Sequence, residues 1–282
     1  MQISDHIHYL KIPFKIPVGQ ENFVDRFVNI YLIFCKDTIV LVDTGVSGSS
    51  SLISKYLELT NRSLKDIGFL ILTHSHPDHI GDAINIQKVT GCRILAHKNE
   101  REWIENIDTQ FKERPIPGFY SLLAGSVKID ALLEKDKKIK IDDENLLEIY
   151  STPGHSSGSI SIHFPNDNAL ICGDAVPVSG TLPIFEDYFQ SINSIEKLKS
   201  IPNISLLLSA WDEPRKGNEV SKALNDGIKY LEKIYEVINK NKSSFINNNQ
   251  IQWIDKIISD LGLEKSSINP LVVKSFISCL SK

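Results

Sequence analysis

The densest chemistry in the chain lies in the run Thr73-His74-Ser75-His76-Pro77-Asp78-His79, where three imidazoles and a carboxylate fall within six residues. Such groups are costly to bury unless they find partners. Imidazole and carboxylate together suit a divalent ion such as zinc, iron or manganese. His74 and His76 are two apart, so an extended segment points them the same way. Pro77 ends that extension and lets Asp78 and His79 turn toward a second position nearby. The spacing therefore suits two adjacent metal positions rather than one. The apolar residues 69–72 read as a buried strand that stops where the cluster begins. Ligands at the carboxyl end of a strand, leading into a helix, line a crevice.

The elements that must hold this run in place are legible in outline. Residues 28–35 and 38–43 are β-rich, separated by a turn at Lys36-Asp37. Capping hydroxyls at 47–51 precede Leu52, Ile53, Tyr56 and Leu57 at helical spacing. A helix over 80–89 ends at Gly91, followed by a strand at 93–96 and a helix over 98–107. Arg114-Pro115-Ile116-Pro117-Gly118 breaks any helix, so 108–130 reads as an irregular lid or binding loop. Strands follow at 138–141, 146–151, 160–164 and 169–172, then a helix over 192–199 and a strand at 204–208. This strand-strand-helix pattern recurs about once in each half of the first 215 residues, compatible with two related sheets packed face to face and helices outside. From Asn218 the texture becomes helical, with an apolar stripe through Val220, Leu224, Ile228, Leu231, Ile234 and Ile238. A polar stretch, 239–249, reads as a linker, and further helices fall at 251–261 and 271–280. Packing is the expected role of these helices, ahead of a lid or a dimer element.

The motifs now assemble into a resemblance. His74, His76, Asp78 and His79 stand as an H-x-H-x-D-H signature, preceded by Val42-Asp43-Thr44-Gly45 and followed by Thr152-Pro153-Gly154-His155 and Cys172-Gly173-Asp174. In this order they resemble the metallo-β-lactamase-fold superfamily, including its glyoxalase II and lactonase branches, over roughly residues 1–215. The resemblance implies an α/β fold: a four-layer αββα sandwich of two mixed sheets with outer helices, here with a C-terminal helical extension. It divides the chain into a catalytic domain, 1–217, and the extension, 218–282. It implies His74, His76 and His155 at one metal, Asp78 and His79 at a second, and Asp174 bridging. Asp43 would stand behind the ligands and orient a histidine. One departure matters: the superfamily's final histidine, in a turn after a late strand, is replaced here by Trp211. Either Asp212 substitutes as a ligand, or the second position is weak or empty.

Other histidines and patterns have plainer readings. A histidine-rich surface loop is the bland alternative for 74–79, and the downstream motifs argue against it. His6 and His8 form a second H-x-H with no third ligand at suitable spacing, and fit one face of the first strand. His97 and His163 end or alternate within strands and read as structural. Cys172 reads as a small buried residue. Gly154-His155-Ser156-Ser157-Gly158 matches G-x-S-x-G, but a strand follows where that elbow needs a helix. Phe119, Tyr120 and Trp211 lie in or near irregular segments and are candidates to line a substrate pocket.

Composition narrows the function. The chain has 282 residues, 41% hydrophobic and 23% charged, with a formal net charge of -4. The pI is about 6.1, and no dense Lys/Arg run offers a nucleic-acid footprint. No apolar stretch is long enough for a bilayer. The run Met1-Gln2-Ile3-Ser4-Asp5-His6 lacks the marks of a signal peptide. The expected setting is therefore cytoplasmic, with Cys35, Cys92, Cys172 and Cys279 reduced. The resemblance implies a hydrolase in which a metal-bound hydroxide attacks a small ester, thioester or lactone, with Asp78 handling the proton. Zinc is the expected ion, one or two per chain, with iron or manganese as alternatives. The expected partner is a small-molecule substrate, with neither nucleic acid nor membrane, and a homodimer is left open. Two other readings stand beside it: a mononuclear iron dioxygenase acting on a persulfide-type thiol, and a non-catalytic metal-binding regulatory module.

Overall fold

The computed structural model describes residues 1–18, 22–134, 136–182, 184–243, 250–264 and 269–280. Of the polar stretch read as a linker, residues 244–249 lie outside the described residues. Two six-stranded sheets form the centre. The first runs β1 (Ile7–Val18), β2 (Asn22–Phe34), β3 (Ile39–Val42), β4 (Ile67–Ile71), β5 (Arg93–His97) and β6 (Ala131–Leu133) in spatial order. The second runs β12 (Arg215–Lys216), β11 (Leu206–Ser209), β10 (Ala169–Gly173), β9 (Ile160–Phe164), β8 (Leu146–Ser151) and β7 (Lys137–Lys140). Both sheets are mixed. Strands β3 to β6 are parallel after an antiparallel hairpin, and β10 and β11 are the parallel pair of the second sheet.

Alternation along the strands creates the layers, since successive side chains point to opposite faces. Val40 and Val42 of β3 join Ile71, Leu95, Ile149, Ile162, Ile171 and Leu208 in a core between the sheets. Ile39 and Leu41 point the other way, with Leu70, Ile94 and Ala96, toward the helices that cover the first sheet. Those helices include α1 (Ser50–Leu59), α2 (Pro77–Ile80) and α3 (Ala83–Thr90). On the second sheet, Leu170, Cys172 and Leu207 face outward into a third core. That core is completed by Ile195 and Leu198 of the helix Tyr188–Lys199, Leu231 and Ile234 of Asn218–Lys240, Trp253 and Ile257 of Gln250–Leu261, and Phe276 of Pro270–Ser278. The αββα sandwich is thus present, and the C-terminal helices form part of its outer layer over the second sheet.

Local structure departs from expectation in one instructive place. Residues 108–130 are not wholly irregular: a helix spans Ile107–Glu113, capped by the Asn106 side chain on the Thr109 amide, and a short one spans Phe119–Leu122. The first stops just ahead of Pro115 and Pro117, which cannot continue it. The second starts from Gly118, whose φ of 71° suits glycine. Within Phe119–Leu122, Phe119 is buried in the core with Ile80 and Leu122. This corrects its assignment to a substrate pocket, because a fully packed ring has no free face. Tyr120 beside it is 52% exposed and donates to Asp108 Oδ1 at 3.0 Å.

Candidate metal centre

The parallel strands β3, β4, β10 and β11 end at one edge of the sandwich, and the residues singled out by type and spacing follow directly. Beyond β4 come Thr73, His74 and His76. Beyond β10 comes Asp174, and beyond β3 Asp43. His155 lies in the turn between β8 and β9, bound to the first sheet through the Ile160 amide on the Thr73 carbonyl at 3.0 Å. Pro77 occupies the first turn of α2, where its missing N–H costs nothing. Asp78 and His79 ride on that helix. Gly154, at φ 136°, adopts a conformation an L side chain rarely takes, and a Cβ there would meet the backbone of Ser191. This tight turn aims His155 inward.

Ligand-type atoms of His74, His76, His155 and Asp174 lie within 4.8 Å of one another. His76 Nδ1 is 2.9 Å from both His74 Nε2 and His155 Nε2. The hydrogen-bond pattern behind them decides which nitrogens are bare. Thr73 Oγ1 spends its one proton on Asp43 Oδ2 at 2.7 Å, so it accepts from His74 Nδ1 at 3.1 Å. His155 Nδ1 donates to the Ile184 carbonyl at 2.8 Å. Each neutral ring then carries a lone pair on Nε2, pointed at His76. Burial is the first cause that lowers the pKa of all three histidines, and the Arg114 charge comes next at His76. Lone pairs converging in a buried place repel unless a cation joins them. The donor set fits a divalent metal on these grounds.

A second group adjoins the first. His79 Nδ1 donates to Asp43 Oδ2 at 2.8 Å, leaving Nε2 buried without a hydrogen-bond partner. That nitrogen faces Asp174 Oδ1 at 3.3 Å and Asp78 Oδ2 at 3.6 Å. Burial opposes a charge on His79, but Asp174, Asp78 and Asp43 together hold its pKa well above the usual value. A proton there stands in for a cation. Asp174 turns its other oxygen, Oδ2, to His155 Nε2 at 3.3 Å and His74 Nε2 at 4.0 Å. Burial works against ionised Asp174, yet His79 and His155 depress its pKa.

Trp211, in the position of the missing histidine, donates from Nε1 to Asp174 Oδ2 at 3.1 Å. Its ring packs near Phe14 and Phe27, with centroids 6.1 and 6.3 Å away. Asp212 does not take over as a ligand. Both its oxygens accept from Arg215 at 2.8 Å, from Nε and Nη2, and this two-point ion pair keeps the carboxylate out of the cluster. The substitution entertained for Asp212 is corrected accordingly. His6 pairs with Asp167 at 2.7 Å, and His8 contacts the Tyr56 hydroxyl at 2.8 Å, so neither joins the cluster. Burial pushes the Cys172 thiol up to about 12, which suits a packing residue rather than a thiolate ligand.

Several residues of the site carried no signal of their own. Thr73 is one. Glu100 is another, at 2% exposure. It accepts from the Ser75 amide at 2.9 Å and the Ser75 hydroxyl, and from Ser156 Oγ at 2.7 Å and the Gly158 amide at 2.6 Å. Ser75 sits between two cluster histidines, and Ser156 follows the third. Glu100 therefore fastens the two histidine-bearing segments to each other. Gln110 supports the same place, donating to the Ser75 carbonyl at 2.6 Å.

Comparison with known proteins agrees with this architecture. The model of the metallo-beta-lactamase superfamily matches residues 24–203. The chain belongs to the metallo-beta-lactamase superfamily. A probable metallo-hydrolase of Methanocaldococcus jannaschii is 34% identical over 180 residues, covering 62% of this chain and 81% of that protein. A hydroxyacylglutathione hydrolase of Methylococcus capsulatus is 25% identical over 191 residues, covering 67% of this chain and 61% of that enzyme. Among solved structures, a metallo-beta-lactamase family protein of Thermus thermophilus has a TM-score of 0.69 at 15% identity, covering 96% of this chain and 90% of that one. This last likeness is one of fold. Superfamily membership and the His/Asp cluster together make this a metal-binding chain of the metallo-hydrolase group.

Proposed function

We propose that the chain is a metal-dependent hydrolase acting on a small ester, thioester or lactone. The observation that carries this reading is the placement of Asp174, with one oxygen toward His74 and His155 and the other toward His79. A carboxylate so placed could serve two neighbouring ion positions. In this reading His74, His76 and His155 hold the first ion, and Asp78 and His79 the second. Asp43 orients His79 directly and His74 through Thr73. A divalent ion bound there would supply Lewis acidity toward the substrate oxygen and make nearby water a nucleophile at neutral pH. The chain itself supplies proton handling. Asp78 has its pKa raised by burial first and by Asp174, against the pull of His79. It takes a proton from the attacking water and returns it to the leaving group. The similarity to hydroxyacylglutathione hydrolases favours a thioester within the substrate class.

Metal analysis and a substrate panel test the reading. Purified protein is expected to carry one or two zinc ions per chain and to hydrolyse at least one of the three substrate types. His76→Ala is expected to lose both metal and activity, and full activity in that variant would refute the assignment. Trp211 supports a second reading. Its hydrogen bond to Asp174 and the engagement of Asp212 by Arg215 favour a single-metal site. A mononuclear iron dioxygenase acting on a persulfide-type thiol needs such a site. One iron per chain with oxygen uptake would replace the hydrolase reading, and Trp211→His is expected to move the stoichiometry toward two. A small-molecule partner and a cytoplasmic setting complete the proposal. Among the described residues no helix is long and apolar enough to cross a membrane.

A further inference from the structure

Arg114 is only 8% exposed. Among the described residues no carboxylate lies within ion-pair distance of its guanidinium, and its side chain donates no hydrogen bond to the protein. A buried cation is normally paired, since burying a lone charge is costly. The position of Arg114 explains what the charge serves. Its amide donates to the Gln110 carbonyl at 2.8 Å, one turn back, just past the end of the helix Ile107–Glu113. The Gln110 side chain reaches the carbonyl of Ser75, between two cluster histidines. Arg114 follows directly on this helix, and its charge is the strongest electrostatic influence on His76 after burial, which places it beside the metal centre. Its charge is felt there: Asp78 is the first carboxylate to act on it, followed by Glu186 and Asp174. Asp78 and Asp174 are the carboxylates a bound metal would claim, Glu100 is saturated by four donors, and Glu186, an exposed side chain, makes no ion pair with Arg114. The guanidinium is left with five N–H donors in a planar fork and no hydrogen-bond acceptor among the described residues. That fork matches the two oxygens of a carboxylate or phosphate.

We propose that Arg114 is the anchor for an anionic group of the substrate, a carboxylate or a phosphate carried close to the scissile bond. This rests on the metallo-hydrolase reading of the centre. It adds that the substrate is an anion, bound at a point distinct from the metal ligands. A desolvated guanidinium binds an oxyanion more strongly than an exposed one does.

Anion binding tests this without requiring any turnover. Acetate and inorganic phosphate are titrated separately by calorimetry into zinc-loaded wild-type protein, Arg114→Gln and Arg114→Lys, with metal content measured in each. Wild type is expected to bind at least one of the two, the tighter naming the class. Arg114→Gln is expected to bind it about ten- to hundredfold more weakly at unchanged metal content. Arg114→Lys, which keeps the charge and loses the fork, is expected to fall between. Equal affinity in wild type and Arg114→Gln would overturn the proposal. Loss of fold or metal in both variants would also overturn it, because such an arginine would have a structural partner. Where hydrolysis is found, the ratio of kcat/KM for a succinyl thioester over an uncharged acyl thioester is expected to collapse in Arg114→Gln, mainly through KM. Absence of hydrolysis with Arg114-dependent anion binding would sink the hydrolase reading and leave the anion site standing.

Discussion

The one proton of the Thr73 hydroxyl goes to Asp43, and the tautomer of His74 follows from that choice. At this scale the site is governed by who donates to whom. Glu100 shows how much rests on a single acceptor. Its two oxygens hold Ser75 on one histidine-bearing segment and Ser156 and Gly158 on another. In Glu100→Gln an NH2 replaces one oxygen and meets donors with a donor. The expected cost is about 1–3 kcal/mol of stability from buried groups left unpaired, together with about 10–100-fold in metal affinity from misoriented ligands. Thermal melts with metal titration measure both. A variant with unchanged metal affinity would show that Glu100 does not orient the ligands.

Among the elements, the β8–β9 pair carries a charge network legible in its register. Glu148 lies opposite His163 and accepts from it at 3.0 Å, while Lys138 on β7 approaches Glu148 at 2.7 Å. The Lys138 bond is the first cause, and the His163 bond the second, that bring the pKa of Glu148 from 4.5 to about 2. A carboxylate whose pKa is depressed by folding adds stability above its unfolded pKa and loses it as pH falls toward the folded value. Glu148→Gln is thus expected to be less stable than wild type at pH 7, and the difference should close between about pH 4.5 and pH 2. Lys138 is exposed, so solvent screening limits the effect to about 0.2–1 kcal/mol. Chemical denaturation across that range reads it directly, and a gap that widens on acidification would contradict the assignment.

For the molecule as a whole, the C-terminal helices share a core with the second sheet. Leu170, Cys172 and Leu207 are covered by residues of Asn218–Lys240, Gln250–Leu261 and Pro270–Ser278. The last helix also reaches the site's surroundings: Lys274 donates to the Glu113 carbonyl at 3.0 Å, next to Arg114, and Ser275 Oγ accepts from the Phe185 amide at 2.8 Å. Removing 218–282 would bare one face of a sheet. The truncated chain is expected to aggregate or to melt without a cooperative transition, and sedimentation with calorimetry would reveal this. A monomeric, cooperative 1–217 fragment would instead establish that these residues fold alone.

The cluster His74, His76, Asp78 and His79 was legible from sequence because its geometry is local. A two-residue spacing, a proline and a strand end suffice to aim four side chains at neighbouring points. Layering was legible for a related reason, since alternating apolar residues along β3, β4 and β10 commit both faces to burial. Other outcomes depended on contacts between distant parts of the chain. Glu100 meets Gly158 across 58 positions, and Trp211 meets Asp174 across 37. Asp212 looked free to replace a histidine until Arg215 was seen to hold it, and Phe119 looked available until the core closed over it. Arg114 appeared only as part of a helix-breaking run. Its lack of a partner among the described residues is a property of everything packed around it, and only the tertiary structure decides that.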